Sequence, residues 1–113
     1  MKFVIIKSAY GSPDGNWFPW LSKKLIELGH VVVCPRFPTP EEQNLENWLA
    51  TFDSEFGLQA LDSGTVFIGH SIGVAFTLRL LQYAKVPVVA SFLVAGFART
   101  LALPQFDHVN STF

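Results

Sequence analysis

The chain has little of what would tie it to several common functions. It holds a single cysteine, Cys34, so no disulfide can close within it. That usage fits a reducing compartment, and the sequence reading places the protein in the cytoplasm. Charge is sparse, at 15% of residues with a formal net charge of −1. No basic excess is available to neutralise a phosphate backbone, so no nucleic-acid partner is expected. The tightest basic cluster, Lys23-Lys24, reads as a solvated helix edge. Long apolar runs are missing too. The N-terminal run over 3–6 is interrupted by Lys7 and is too short for a secretory signal core. The longest apolar stretch, 86–98, contains Pro87, Ser91 and Gly96 and falls short of the about 20 residues that span a bilayer, so no membrane partner is expected. Without a secretory signal, the glycosylation pattern Asn110-Ser111-Thr112 is expected to stay idle. The three histidines lack spaced metal-binding partners, and the sequence calls for no metal and no cofactor.

What is present is a core. Half of the 113 residues are hydrophobic, enough for one domain over 1–113. Apolar β-branched runs alternate with amphipathic stretches. Strands are predicted over 3–6, 31–34, 65–68 and 88–95, the last opened by Pro87. The first helix is predicted over 17–28, with Trp17, Leu21, Leu25 and Leu28 on one face, Asn16 as its N-cap and Gly29 as its stop. Thr39-Pro40-Glu41-Glu42 reads as the cap of a single helical turn. Leu45, Trp48, Leu49, Phe52 and Phe56 make a helical stripe, with Glu46, Asn47, Asp53 and Glu55 on its wet side. The third helix, 72–84, is apolar almost all round. Cys34 reads as a buried small hydrophobe.

This β-α-β-α-β-α-β order predicts an α/β fold, a doubly wound parallel sheet in strand order 2-1-3-4 with helices on both faces. The first and third strands are then neighbours whose chains leave toward opposite faces. Such switch points hold ligands, and the loops that meet there are 8–16 and 69–73.

The second of these loops reads Gly69-His70-Ser71-Ile72-Gly73, a G-x-S-x-G between a β-branched strand and an apolar helix. A serine hydroxyl is a weak nucleophile and must be held out where a base and a carbonyl both reach it. A sharp strand-to-helix turn does so, with small residues two before and two after the serine, where strand and helix crowd. The helix N-terminus aims free N–H groups at the site, and the Ile72 N–H is placed as an oxyanion donor. A glycine-bracketed turn without chemistry is the plainer alternative. A P-loop is disfavoured because Val74-Ala75 follows Gly73 where Lys-Ser/Thr is needed, and no G-x-G-x-x-G follows any strand. His70 is expected to point away from the Ser71 hydroxyl, His30 lies at the opposite strand end, and His108 in the tail could fold back as a base. Among the carboxylates, Asp53 and Asp62 belong to the second helix and its exit, and Asp107 to the tail.

Several motifs in order carry a resemblance. They are Tyr10-Gly11-Ser12-Pro13-Asp14-Gly15-Asn16-Trp17-Phe18-Pro19-Trp20-Leu21, Thr39-Pro40-Glu41, Asn44-Leu45-Glu46-Asn47-Trp48-Leu49 and the elbow, continuing through Leu103-Pro104-Gln105-Phe106-Asp107-His108. Together they resemble the small α/β-hydrolase-type serine hydrolases related to retinoblastoma-binding protein nine. The resemblance implies hydrolysis of a small-molecule carboxylic ester or amide through a Ser-Asp-His triad. By position, Ser71 matches the nucleophile, and Ile72 with Ala9 and Tyr10 matches the oxyanion region. Two departures stand out. Lys7-Ser8 occupies the place where the family usually has His-Gly, and the sequence stops before the later strands that carry the family's acid and histidine. The expectation is therefore an impaired or inactive hydrolase as this short chain, with self-association through an exposed fourth strand. A non-catalytic binding protein that retains the cleft and a flavodoxin-like nucleotide binder stand as alternatives.

Overall fold

The run Phe3-Val4-Ile5-Ile6 is apolar without alternation because both of its faces are covered. In the computed structural model, which describes residues 1–97 and 112–113, it forms most of strand β1 (Lys2–Ile6). Val4 and Ile6 pack with Trp48, Phe52, Phe67 and Phe76 on one side. Phe3 and Ile5 pack with Phe18, Leu25, Val66 and Ile68 on the other. Strands β2 (Val31–Val33), β3 (Thr65–His70) and β4 (Ala90–Val94) complete a four-stranded sheet in the order β2-β1-β3-β4. Every pairing is parallel. Doubly wound topology follows from the helices. Helix α1 (Phe18–Glu27) covers one face, while α2 (Leu45–Glu55) and α3 (Ile72–Tyr83) cover the other. The sheet order and class expected from the sequence are the ones observed.

The larger core is built around Trp48, which has no exposed surface. Its ring stacks on Phe37 at 4.5 Å and meets Phe76 edge-on at 5.4 Å, and its indole N–H donates to the Pro38 carbonyl at 3.2 Å. Each large side chain buried this way stabilises the fold by roughly 1.5–3 kcal/mol. Asn44 caps α2, its side-chain oxygen accepting from the Asn47 N–H at 2.8 Å.

Local details depart from the sequence expectations where tertiary contacts outweigh local signals. Asn16 is not the cap of α1. It sits at φ 53°, and Trp17 takes the cap position without any side-chain hydrogen bond. The buried side of α1 is Phe18 and Leu25, whereas Leu28 is 73% exposed, because the helix has ended before it. That end is a Schellman motif, with Gly29 N–H on the Ile26 carbonyl and His30 N–H on the Leu25 carbonyl. Residues 39–42 form no helical turn; the Thr39-Pro40 bond is cis and Glu42 has φ 59°. β3 runs two residues past its predicted end, held by β1 and β4, while β4 starts only at Ala90. Asp107 and His108 lie outside the described residues.

Candidate active site

The register Ile6 opposite Gly69 carries the chain off the same end of neighbouring strands into residues 7–16 and 70–73. Ser71 stands at the turn between β3 and α3 with φ 56° and ψ −121°. An L-residue is held there only when its surroundings over-determine it. The surroundings are visible. The Ser71 N–H donates to the Val94 carbonyl at 3.0 Å, and the Ser71 carbonyl accepts from the Val74 N–H at 3.0 Å. Backbone bonds on both sides thus fix the peptide, while the Ser71 hydroxyl has no partner among the described residues.

The two flanking glycines are required by close approach. A methyl group at Gly69 would lie 2.7 Å from Thr77 Oγ1 and 2.9 Å from the Gly73 carbonyl oxygen. One at Gly73 would collide with the carbonyl oxygens of Ile6 and Lys7. Thr77 secures the same crossing by donating its hydroxyl to the Gly73 carbonyl at 2.7 Å. Ile72 is the first residue of α3 and is buried, so its N–H is one of the donors that a helix leaves unpaired at its start.

The side chain of His70 goes elsewhere. Its ring meets Trp17 edge-on at 5.6 Å and Phe18 at 6.0 Å, on the α1 side of the sheet. His30 lies at the other end of the strands, against Phe3 and the N-terminal amine. Asp62 is also at that far end. It pairs with Lys2 at 2.9 Å, and this bond together with the Gly64 N–H lowers its carboxyl below the ordinary range. Asp53 accepts from the Leu58 N–H at 2.8 Å just after α2. None of these four supplies an acid or base to Ser71.

Ala9 and Tyr10 lie in a tight turn over 8–11, closed by the Gly11 N–H on the Ser8 carbonyl at 3.2 Å. Tyr10 has φ 58°, and its N–H donates to Gln43 Oε1 at 3.1 Å. Gln43, which the sequence did not single out, and Lys7, singled out there only as a departure from the family's His-Gly, are buried polar residues. Lys7 has no exposed surface. Its ammonium lies 4.8 Å from the centre of the Trp48 ring and 3.4 Å from the Ser8 carbonyl oxygen. Burial lowers it from 10.5 to about 8, opposed by attraction to Cys34. Cys34 is half-buried, and burial raises its thiol from 9.0 to about 11. The nearest sequence signal for Lys7 was its place in the family's His-Gly position.

A doubly wound parallel sheet with a strained serine wedged between β3 and α3 at the switch point is the architecture of an α/β-type hydrolase. The chain belongs to the serine hydrolase family, whose profile matches residues 3–112. It is 32% identical over 118 residues to the putative hydrolase YdeN of Bacillus subtilis (strain 168), an alignment covering 95% of this chain and 61% of YdeN. The crystal structure of the ydeN gene product from B. subtilis matches with a TM-score of 0.84 and 29% identity, over 97% of this chain and 58% of that one. The chain thus spans about three fifths of the length of the relative it matches. Among the described residues, no helix is long and apolar enough to cross a membrane.

Proposed function

We propose that this chain carries the nucleophile half of a hydrolase that cleaves small-molecule carboxylic esters or amides by acyl transfer through Ser71. The observation that carries the reading is the backbone of Ser71, held at positive φ at the start of α3 between two glycines that cannot bear a side chain. In the proposed mechanism the Ser71 Oγ attacks the substrate carbonyl carbon as a base takes its proton. The tetrahedral oxyanion is held by the N–H groups of Ile72 and the 8–11 turn. Collapse expels the alcohol or amine, which takes up a proton, and water then hydrolyses the acyl-enzyme to free acid and serine. The base and its orienting acid are proposed to come from outside the described residues, His108 being the candidate base in this chain.

Without a base, acylation in serine proteases falls by a factor on the order of 10⁶, leaving about 10³–10⁴ over water from the oxyanion hole and binding. The proposal is therefore tested best by a reagent more reactive than an ester. A fluorophosphonate phosphonylates a serine Oγ with loss of fluoride. Labelling of the folded chain that disappears in Ser71→Ala supports the reading. Folded chain that stays unlabelled is the result expected of a cleft that binds without chemistry. We also propose that β4 mediates self-association, since Phe92, Leu93 and Val94 are each at least 40% exposed at the sheet edge.

A further inference from the structure

We infer that Gln43, assisted by Lys7, is a positioning residue that holds the 8–11 turn in one of two peptide orientations, and so keeps the Tyr10 N–H away from the Ser71 oxyanion and leaves the Ala9 N–H to serve it. The link to the oxyanion rests on the function proposed above; the clamp itself does not.

A turn closed by an i to i+3 hydrogen bond has two common forms. Type I keeps its third residue at φ of about −90°, and type II turns the central peptide over and needs φ of about +80° there. Tyr10 is the third residue of the 8–11 turn and has φ 58°, on the side of type II. A tyrosine does not choose that conformation unaided, because its Cβ crowds the backbone at positive φ. Something must reward the inverted Ala9–Tyr10 peptide, and Gln43 does. Its Oε1 accepts the Tyr10 N–H at 3.1 Å, while its Nε2 donates to the Pro40 carbonyl at 2.9 Å. Both ends of the amide are engaged and the side chain is 4% exposed, so it cannot readily swing away. In a type I turn the Tyr10 N–H would face the other way and leave this buried carbonyl unpaired, a loss that buried polar groups resist.

Lys7 closes the other side. The Ser8 carbonyl accepts the Gly11 N–H at 3.2 Å and lies 3.4 Å from the Lys7 ammonium. A carbonyl has two lone pairs and can take both. The ammonium is kept over Trp48, which is itself fixed in the core. The turn is thus held at Ser8 from the β1 side and at Tyr10 from the segment before α2. Ala9, between the two anchors, packs on the larger core. Because the Tyr10 N–H is committed to Gln43, Ala9 is the member of the pair left for an oxyanion.

Two readouts on the full 113-residue chain test this. The first is amide hydrogen exchange at Tyr10, which does not depend on Ser71 reactivity. Exchange is expected to be slow in the parent and partly slowed in Gln43→Glu, which keeps the acceptor for Tyr10 but gives up the donor to Pro40. It should be at least about tenfold faster in Gln43→Leu, and intermediate in Lys7→Met. The second is fluorophosphonate inactivation resolved into its affinity and its maximal rate. Gln43→Leu should lower the maximal rate about tenfold or more with little change in affinity, because a misplaced donor is felt in the transition state. Gln43→Glu should recover part of it, which a loss of general stability would not explain. Unchanged Tyr10 exchange in Gln43→Leu overturns the clamp. Faster inactivation in that variant overturns the choice of Ala9, since it would show that Gln43 had been withholding the Tyr10 N–H. If the parent is folded and unlabelled, this chain alone is not a working hydrolase, and the exchange comparison alone decides the clamp.

Discussion

Backbone strain at Ser71 has a thermodynamic signature that separates it from chemistry. A side chain held at φ 56° costs on the order of 1–3 kcal/mol, and glycine relieves that cost while adding about 0.4–1 kcal/mol of unfolded-state entropy. Ser71→Gly should therefore be more stable than Ser71→Ala by roughly 1 kcal/mol in urea denaturation, although both remove the nucleophile. Equal stability would mean that the elbow is not strained in solution. A second residue-scale prediction concerns pH. Lys7 titrates at about 8 in the fold and at 10.5 in the unfolded chain. Between these values the unfolded state binds more protons, so stability rises with pH. Cys34 works against it, since its thiol is raised from 9.0 to about 11, and between those values the native state holds the extra proton. Near this pair, Arg36 favours the Cys34 thiolate, while Asp14 and Glu55 oppose it. The melting temperature should rise between pH 8 and 9, then flatten. Lys7→Met should remove the rise, and Cys34→Ala should let it continue toward 10.5. A melting temperature that does not move between pH 8 and 9 would place Lys7 in water rather than under Trp48.

At the scale of elements, the two long helices of the first half begin differently, and their stabilities should respond differently. Asn44 satisfies the Asn47 N–H of α2, and Asn44→Ala should cost about 1 kcal/mol by chemical denaturation. Asn16→Ala should cost less, because Asn16 does not cap α1. Its present φ of 53° is tolerated better by asparagine than by alanine, so the loss should be small rather than zero. This contrast shows what was readable in the sequence. Strand order and the tight strand-to-helix turn at Ser71 were legible because each rests on a short local pattern, such as the continuous apolar runs of β1 and β3 or the five residues from Gly69 to Gly73. The start of α1 was not, because Phe18 and Trp17 are placed by His70 and by the sheet rather than by a capping side chain. Nor were Lys7 and Gln43. A lysine between an apolar strand and a glycine-containing loop looks solvated until Trp48 from a distant helix closes over it. Gln43 gains its meaning only from a backbone N–H that lies 33 positions earlier.

At the scale of the whole molecule, the sheet ends asymmetrically among the described residues. β2 is an edge of three residues, the short kind that offers little to a foreign strand. β4 is the other edge, five residues long, with Ala90, Phe92 and Val94 toward one face and Ser91 and Leu93 toward the other. Phe92 and Val94 look into an open apolar groove with Trp17, Leu21, Leu25 and Ile68. Leu93 faces the opposite way, beside Val74, Leu78 and Phe97. Phe92 is 56% exposed and Leu93 46%, so pairing along this edge would bury apolar surface on both sides of the sheet as well as backbone hydrogen-bonding groups. A single charge is enough to oppose that, because lysine on an edge strand must be desolvated before a second strand can dock. Sedimentation velocity over a range of concentrations should then show the parent chain associating, with Phe92→Lys and Leu93→Lys shifted to monomer. The two variants probe opposite faces, so if only one responds, the contact is a face-to-face one on that side. If neither responds, association does not use β4 at all. Ser71 gives an internal control. Its N–H is held by the Val94 carbonyl at the end of the same strand, so fluorophosphonate labelling that survives in Leu93→Lys would show that β4 is still in register when the partner is gone.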